Sequence, residues 1–331
     1  MKFDFSEDQH EIRRTAKDLL AKRSTMSKVR EAAEAKAYDD SLWKELAELG
    51  WPGVAISEEN GGGGLGVVEL ASLMEESGYS LAGSPLLASA AAGLAIQEAG
   101  SDSQKAEWLP GLASGELKGS FGVEGALFPD AEGADVIVSI SADGGSAVVG
   151  AGSGFQVEAV DAIDPTRRYA TVTGSGEAMP GDVEAALSLV AIITSAELVG
   201  ISLRNLEMTV EYVKDRKQFG KPVGSFQAVQ HRCAQMLLHT ESARSATYFA
   251  AWAADADRSR LSEGASLAKA AASTAGVESG NSAIQAHGGI GFTWEADVHW
   301  LYKRAQMDAA YVGGTKVHRA NLAKIAAGAV A

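Results

Sequence analysis

Cysteine is nearly absent from this 331-residue chain, which contains only Cys233. A single cysteine excludes an internal disulfide, and its position on an apolar helical face predicts a core residue in a reduced, cytoplasmic setting. Basic residues are also scarce, because 29 lysines and arginines face 43 aspartates and glutamates, leaving a net charge of −14. Such an acidic surface argues against nucleic acid or an anionic membrane as a general partner.

The sequence also shows no pattern typical of a targeting segment or a membrane-spanning helix. The first residues, MKFDFSEDQHEIRR, are charged and helical in pattern, which predicts no signal peptide. The alanine-rich runs, such as 86–95, are too short and too weakly apolar to span a bilayer. No metal site is predicted. The length suggests two or three domains with ample chain to bury a core.

Two glycine-rich segments lack what a nucleotide-binding loop requires. The four glycines at 61–64 are not followed by the Lys-Ser/Thr pair of a P-loop, so we interpret them as a loop between helices. Gly150, Gly152 and Gly154 resemble part of a dinucleotide fingerprint. The strand-like FQVEAV follows them where that fingerprint needs a helix, which excludes it.

Helical periodicity, then β-branched alternation, then helical periodicity divide the chain into three parts. We predict a mainly α fold with a small β domain: an all-α domain at 1–117, a shortened antiparallel β domain at 118–182 and a C-terminal four-helix bundle at 183–331. The predicted helices are 6–22, 40–49, 67–78, 85–99, 103–114, 184–215, 225–257, 262–286 and 315–327.

A short charged turn, RKQFGKPVGSFQAVQH at 216–231, separates two of the long amphipathic helices. Their apolar stripes consist of Val199, Leu203, Leu206, Val210 and Val213 before the turn, and Phe226, Val229, Cys233, Met236 and Thr240 after it. Gly220 and Pro222 are predicted to end the first helix, and Ser225 to cap the second. The segment is therefore a helix hairpin with a cationic tip.

The cations of this tip have two interpretations. Arg216, Lys217 and Lys221 near a helix C-terminus complement its dipole and can simply remain solvated. Alternatively, the arginine fork grips a phosphate, with Gln218 and Gln227 as neutral hydrogen-bonding partners.

The hairpin sequence resembles the signature of the acyl-CoA dehydrogenase family, and so does the order of helices, strands and helices. This resemblance implies that Arg216, Gln218, Phe219 and Gln227 hold the ADP half of FAD in the neighbouring subunit. A second segment, QAHGGIGFTWE at 285–295, is similar to the family's Gln-x-x-Gly-Gly segment. It implies a further cofactor-binding set, contacting the ribose and diphosphate: Gln285, Gly288 and Gly289. On the residues alone, the two glycines could be only a helix C-cap, and His287 a capping or core residue.

The general base of the family is absent where the resemblance would place it. Removing the proton α to a thioester needs a base while the hydride passes to flavin, and the common family position is a Glu before Gly-Thr. Here YVGGTKVHR has Gly313 at that position, and the alternative position in an earlier helix falls near Val190. The family's CoA-binding residues would fall near Ser188 and Ala191, and SFGVEGALFPDAEG lacks its flavin-ring segments.

Three hypotheses follow. The resemblance is strongest to the non-catalytic partner subunits of α2β2 acyl-CoA dehydrogenases of bacterial steroid side-chain degradation. It implies FAD shared at an interface, a catalytic partner subunit that binds the acyl-CoA, and an electron-transfer flavoprotein as acceptor. The second hypothesis is a homotetrameric enzyme with its base at Glu124, Glu184 or Glu197. The third is a flavin-free structural or regulatory homologue.

Overall fold

The amino-terminal part of the chain is helical, as predicted. The computed structural model describes residues 4–328, and the predicted domain limits at residues 1 and 331 lie outside them. The first helices are α1 (Glu7–Arg23), α2 (Met26–Ala35), α3 (Asp40–Glu48), α4 (Val67–Ser80), α5 (Leu86–Ala99) and α6 (Asp102–Ser114). Ser6 caps α1, because its hydroxyl accepts the Gln9 amide at 3.2 Å. Only α2 is absent from the predicted helices.

Strands occupy the middle of the chain. They are β1 (Gly119–Val123), β2 (Phe128–Pro129), β3 (Val136–Ile140), β4 (Ala147–Ala151), β5 (Phe155–Val160), β6 (Tyr169–Gly174) and β7 (Glu177–Ala178). They form two sheets, ordered β1-β3-β4-β7 and β2-β6-β5. The prediction of an antiparallel domain is wrong for β1, which runs parallel to β3 with Phe121 opposite Val138. Residues 124–135 are long enough to carry the chain back to the same end of the sheet.

Helices return after the strands and pack as a bundle. They are α7 (Val183–Asp215), α8 (Gln227–Ala256), α9 (Leu261–His287), α10 (Val298–Ala310) and α11 (Thr315–Gly328). α9 lies at the centre, in contact with α7, α8, α10 and α11. The short α10 is the one bundle helix that the sequence patterns did not predict.

α7 connects the bundle to both other parts of the chain. It is the one helix of residues 4–328 long and apolar enough to cross a membrane, but 89% of its most apolar window is buried. It lies very close to α4: a Cβ at Gly200 would be 1.9 Å from the Glu75 carbonyl oxygen, and one at Gly78 would be 2.1 Å from that of Glu197. Only glycine permits this approach of two backbones.

The hairpin tip differs in detail from the prediction. α7 ends at Asp215, and two short strands follow, β8 (Lys217–Gln218) and β9 (Lys221–Pro222). Gly220 has φ +78° as expected, but it forms the turn between these strands together with Phe219 at φ +53°, and does not end the helix. Ser225 does not cap α8, because its hydroxyl donates to the Pro222 carbonyl at 2.7 Å and Phe226 occupies the cap position.

Candidate functional site

The two segments predicted to bind a cofactor meet at one end of the bundle. The Tyr212 hydroxyl, in the last turn of α7, donates to the carbonyl oxygen of His287 at 3.2 Å. The two rings also stack, with centroids 4.2 Å apart and planes 19° apart. His287 is the last residue of α9 and directly precedes Gly288, so this contact joins the hairpin to the Gly-Gly segment.

The predicted side chains at this end point outward. Phe219 is 92% exposed, and Arg216, Gln218, Gln227 and Gln285 are exposed as well. Within residues 4–328, Arg216 has no carboxylate within 4.0 Å. An exposed guanidinium with no ion pair in its own chain can bind an anion from outside it.

The Gly-Gly segment offers bare backbone. Gly288 has φ +65° and ψ −142°, which L side chains rarely adopt, and a Cβ at Gly288 or Gly289 would have no atom within 4 Å. The approach to these peptide groups is therefore open. The Gly288 N–H itself donates to the Gln285 carbonyl oxygen, so the segment offers close approach of backbone and not a free Gly288 donor. The residues at this end of the bundle thus fit the diphosphate of a dinucleotide.

Gly313, where the resemblance would place the family's base, lies in a strained turn. Val312 and Gly313 both have positive φ, +49° and +96°, although a β-branched residue rarely adopts that conformation. The carbonyl oxygens of this turn are bound from two sides: His318 Nε2 lies 3.1 Å from that of Val312, and Lys269 Nζ lies 3.4 Å from that of Gly313. The turn therefore presents backbone, and no acid, at this point.

The space between the β strands and α7 is filled. Val190, at the alternative base position, is completely buried in one hydrophobic core with Phe121 and Val149. Tyr311 covers β1 from the other side, since its hydroxyl donates to the Phe121 carbonyl at 2.8 Å and its ring meets the Phe121 ring edge-on. The strands thus pack directly on the helices, at the place where the resemblance would put a flavin ring and an acyl chain.

A buried network of charges ties the β strands to the bundle. Glu197 of α7, 1% exposed, accepts hydrogen bonds from Arg167 at 2.6 Å and from Arg304 at 3.1 Å. Arg167 also binds Asp308 at 2.8 Å, and Arg304 binds Asp164 at 2.5 Å. Burial raises the pKa of Asp308 to about 8. Glu197 is enclosed by its arginines and cannot meet a substrate as a base.

The other two candidate bases are on the surface of the protein. Glu124, just after β1, is exposed. Glu184 is exposed in the first turn of α7 and accepts a hydrogen bond from Ser262 at 3.0 Å. Both carboxylates are therefore on the surface, whereas Val190 is completely buried.

Lys269 is a functional candidate that the sequence patterns missed. Its Nζ is buried and donates to the carbonyl oxygens of Asp308 at 2.9 Å and Ala309 at 3.1 Å, at the end of α10. Burial lowers its pKa to about 7. The sequence signal that could have revealed it is a lysine within the apolar stretch SLAKAAAS. Lysine is rarely buried without a partner, so a lysine on a buried helical face indicates a specific contact.

Comparison with known proteins places these features in a family. Residues 6–116 match the family described as acyl-CoA dehydrogenase, N-terminal domain, and residues 182–327 match acyl-CoA dehydrogenase, C-terminal domain. Acyl-CoA dehydrogenase IpdE2 of Mycobacterium tuberculosis is 35% identical over 306 residues, covering 92% of each chain.

Two solved structures share the fold over nearly the whole chain. The Tcur3481-Tcur3483 steroid ACAD variant is 27% identical, with a TM-score of 0.87 and coverage of 98% of this chain and 99% of that one. The ChsE4-ChsE5 complex from Mycobacterium tuberculosis also has a TM-score of 0.87, over 99% of both chains, and at 23% identity it shows the fold alone.

Proposed function

This chain belongs to the acyl-CoA dehydrogenase family, and we propose that it is a non-catalytic subunit that contributes FAD-binding residues to a catalytic partner. FAD is the cofactor of this family. The partner would supply the general base, the flavin-ring pocket and the acyl-CoA pocket, in an α2β2 assembly.

The observation that carries the proposal is the contrast between the two halves of the site. The residues that would contact a neighbour's cofactor, such as Arg216 and Gln285, are exposed, and the backbone at Gly288 is open. The half that would serve the chain's own cofactor is closed by core packing around Val190 and has Gly313 in place of a base. A subunit that binds no substrate but helps to bind a partner's flavin would have this combination.

Each residue at the exposed end has a chemical role in this proposal. The Arg216 guanidinium would hold the negatively charged diphosphate, which could lie against the open backbone at Gly288 and Gly289. The side-chain amides of Gln227 and Gln285 would donate to or accept from the ribose and phosphate oxygens. Bound FAD supplies the acceptor for the β-hydride of the thioester. The α-proton would go to a carboxylate of the partner, because this chain has none at that place.

The substrate class is proposed from the name of one similar solved structure. The name of the 27% identical structure contains the word steroid and two protein designations, Tcur3481 and Tcur3483. We infer a bulky, ring-bearing acyl-CoA thioester, bound by the partner, with an electron-transfer flavoprotein as the electron acceptor. Two active sites in a four-chain assembly would leave more room beside each site than four.

Flavin content per chain tests the proposal against the other two hypotheses. The protein is purified alone and after co-expression with its adjacent gene product, and flavin is measured by visible absorbance. We expect almost none alone and about half an equivalent per chain in the mixed assembly, because two of four symmetric sites would be filled. A full equivalent on the lone protein would favour a homotetrameric enzyme, and no flavin in either preparation would favour a flavin-free homologue.

A further inference from the structure

The buried charges between the β strands and the bundle do not balance. Four carboxylates belong to this network, and each residue is at most 5% exposed: Asp130, Asp164, Glu197 and Asp308. Within 4.0 Å of them lie two buried arginines, Arg167 and Arg304. The third buried cation among residues 4–328 is Lys269, which donates to the main-chain oxygen of Asp308 at 2.9 Å. Even with Lys269 charged, four acids therefore face three cations.

A metal ion does not restore the balance. No three His, Cys, Asp or Glu side chains of residues 4–328 are arranged so that they could hold one. Three carboxylate oxygens of the network are nevertheless buried without a hydrogen-bond partner in that part of the chain: Asp130 Oδ2, Glu197 Oε2 and Asp308 Oδ2. A buried carboxylate without a compensating charge takes up a proton, because neutralisation costs less free energy than burial of the charge.

Two of the four carboxylates are held as anions by their partners. Asp164 accepts hydrogen bonds from Arg304 Nε at 2.5 Å and from the N–H of Thr166 at 2.9 Å. Glu197 accepts from Arg167 at 2.6 Å and from Arg304 at 3.1 Å. Hydrogen bonds from cations and N–H groups favour the ionised form, so the extra proton belongs to one of the other two acids.

Asp308 is the better holder of this proton. Its Oδ1 accepts one hydrogen bond, from Arg167 at 2.8 Å, and its Oδ2 accepts none from the described residues. Burial, and then the charge of Glu197, raise the pKa of Asp308 to about 8. Asp130 is the alternative, because it accepts the Tyr38 hydroxyl at 2.6 Å and burial raises its pKa as well.

Charged and titratable groups surround Asp308 from α7, α9, α10, the residue after α10 and the segment leading into β6. They are Asp164, Arg167, Tyr169, Glu197, Lys269, Arg304 and Tyr311. Burial raises the pKa of Tyr169 and Tyr311, so both hydroxyls stay neutral at pH 8. Arg167 is the cation of this set that donates to the Asp308 side chain.

We propose that Asp308 carries a proton in the folded protein, and that this proton makes the contact between residues 164–167 and α10 sensitive to pH. With Asp308 neutral, its Oδ1 still accepts from Arg167, and the network holds the two segments together. Loss of the proton at alkaline pH leaves an uncompensated carboxylate in the interior, which favours separation of the segments and entry of water. The inference concerns the lone chain and does not depend on the proposed function.

Asp308→Asn imitates the neutral acid and tests the proposal. Aspartate in an unfolded chain loses its proton near pH 3.9, whereas folded Asp308 keeps its proton up to about pH 8. The stability that this group contributes therefore falls as pH rises between these values. We expect the unfolding equilibrium constant of the wild type, divided by that of the variant, to rise about tenfold per pH unit from about pH 5 to about pH 7. Urea denaturation at each pH, followed by circular dichroism, measures both constants.

The controls separate Asp308 from other acids. Asp18→Asn, at an exposed aspartate of α1, should leave the pH dependence of the wild type unchanged. Two results would overturn the proposal. One is a ratio for Asp308→Asn that is the same at every pH, as expected if Asp308 is an ionised partner of Arg167. The other is loss of the pH dependence in Asp130→Asn and not in Asp308→Asn.

Infrared spectroscopy of the folded wild type provides the test if Asp308→Asn does not fold. A protonated carboxyl group has a C=O stretching band that a carboxylate lacks. We expect such a band at pH 7 and its loss above about pH 8, with the same behaviour in Asp18→Asn. Absence of a protonated carboxyl group at pH 7 would refute the proposal.

Discussion

The two sides of the C-terminal bundle use polar residues in opposite ways. At the hairpin end, Arg216 and Gln285 are exposed and the backbone at Gly288 is open. On the side facing the β strands, Arg167, Arg304 and Glu197 are buried, and both arginines bind Glu197. Charges of the first kind are available for binding, and charges of the second kind hold two parts of the chain together. The same residue types therefore serve recognition or architecture according to their burial.

The strongest test of the enclosed side is Arg304→Met. This change removes the ion-pair partner of the buried Asp164 and one of the two arginines that bind Glu197, so we expect the free energy of unfolding to fall by about 3–5 kcal/mol. Urea denaturation followed by circular dichroism measures it. Arg319→Met, at an exposed arginine of α11, is the control and should change stability little. Equal losses for the two variants would contradict the structural role of the network.

The exposed side is tested by Arg216→Ala in the co-expressed complex. Loss of a charge-assisted hydrogen bond of about 1–3 kcal/mol should raise the dissociation constant of FAD by roughly 5- to 150-fold. Flavin release on dilution, followed by fluorescence, gives this constant. Lys214→Ala removes another exposed cation from the end of α7 and should have no such effect. Unchanged flavin retention in Arg216→Ala would refute the assignment.

Gly313→Glu places a carboxylate on the interior side, at the position where the family's general base is expected. We expect the lone variant to bind no flavin, because the interior remains packed around Val190 and Phe121. It should also lose more than about 1 kcal/mol of stability, since a side chain at φ +96° is strained and its Cβ would lie 3.2 Å from His318 Nε2. Thermal unfolding and visible absorbance are the measurements. Gly314→Ala is the control, and dehydrogenase activity of lone Gly313→Glu would show that the interior is accessible.

Tyr212→Phe probes how the exposed end is held in position. The variant keeps the stack on His287 but loses the hydrogen bond to its carbonyl oxygen, so the Gly-Gly segment is less firmly placed. We expect the affinity of the complex for FAD to fall about fivefold, equivalent to about 1 kcal/mol. Tyr79→Phe, which removes a hydroxyl bound to Glu207, should not alter FAD affinity. Identical effects of the two substitutions would rule out positioning by Tyr212.

The pH dependence of stability tests whether His299 of α10 is buried in its neutral form. Burial, then Lys303, lowers the pKa of His299 to about 4, so the unfolded chain binds a proton below about pH 6.5 that the folded chain excludes. His299 therefore makes stability fall as pH falls from about 6.5 to about 4, and His299→Phe should lose less stability over that range. Urea unfolding at several pH values compares the two curves. Parallel curves would mean that His299 binds a proton equally well in the folded and the unfolded chain.

Several parts of the fold could be predicted from local pattern alone. Helical periodicity located α7, α8, α9 and α11 to within two residues at each end, because an apolar stripe every three or four residues is a property of one short segment. The shorter α2 and α10 were missed. In α10 the buried residues include His299, Arg304 and Asp308, so its buried face is partly polar and gives no apolar stripe.

The candidate site divides in the same way. Arg216, Gln227, Gln285 and the glycines follow from two contiguous motifs, and the absence of a base at Gly313 can be read directly from the chain. Their roles remain predictions. The contact between Tyr212 and His287 could not be predicted, because 75 residues separate the two.

The sequence by itself determined most helical and strand segments, the acidic balance, the position of the motifs predicted to bind a cofactor, and the glycine at the predicted base position. Only the tertiary structure decided which charges are buried, that β1 and β3 run parallel, and that Tyr212 contacts His287. The physical reason is the distance along the chain over which each interaction acts. Backbone propensity and apolar periodicity act within a few turns, whereas the partner of a buried charge such as Arg304 lies 140 residues away in Asp164.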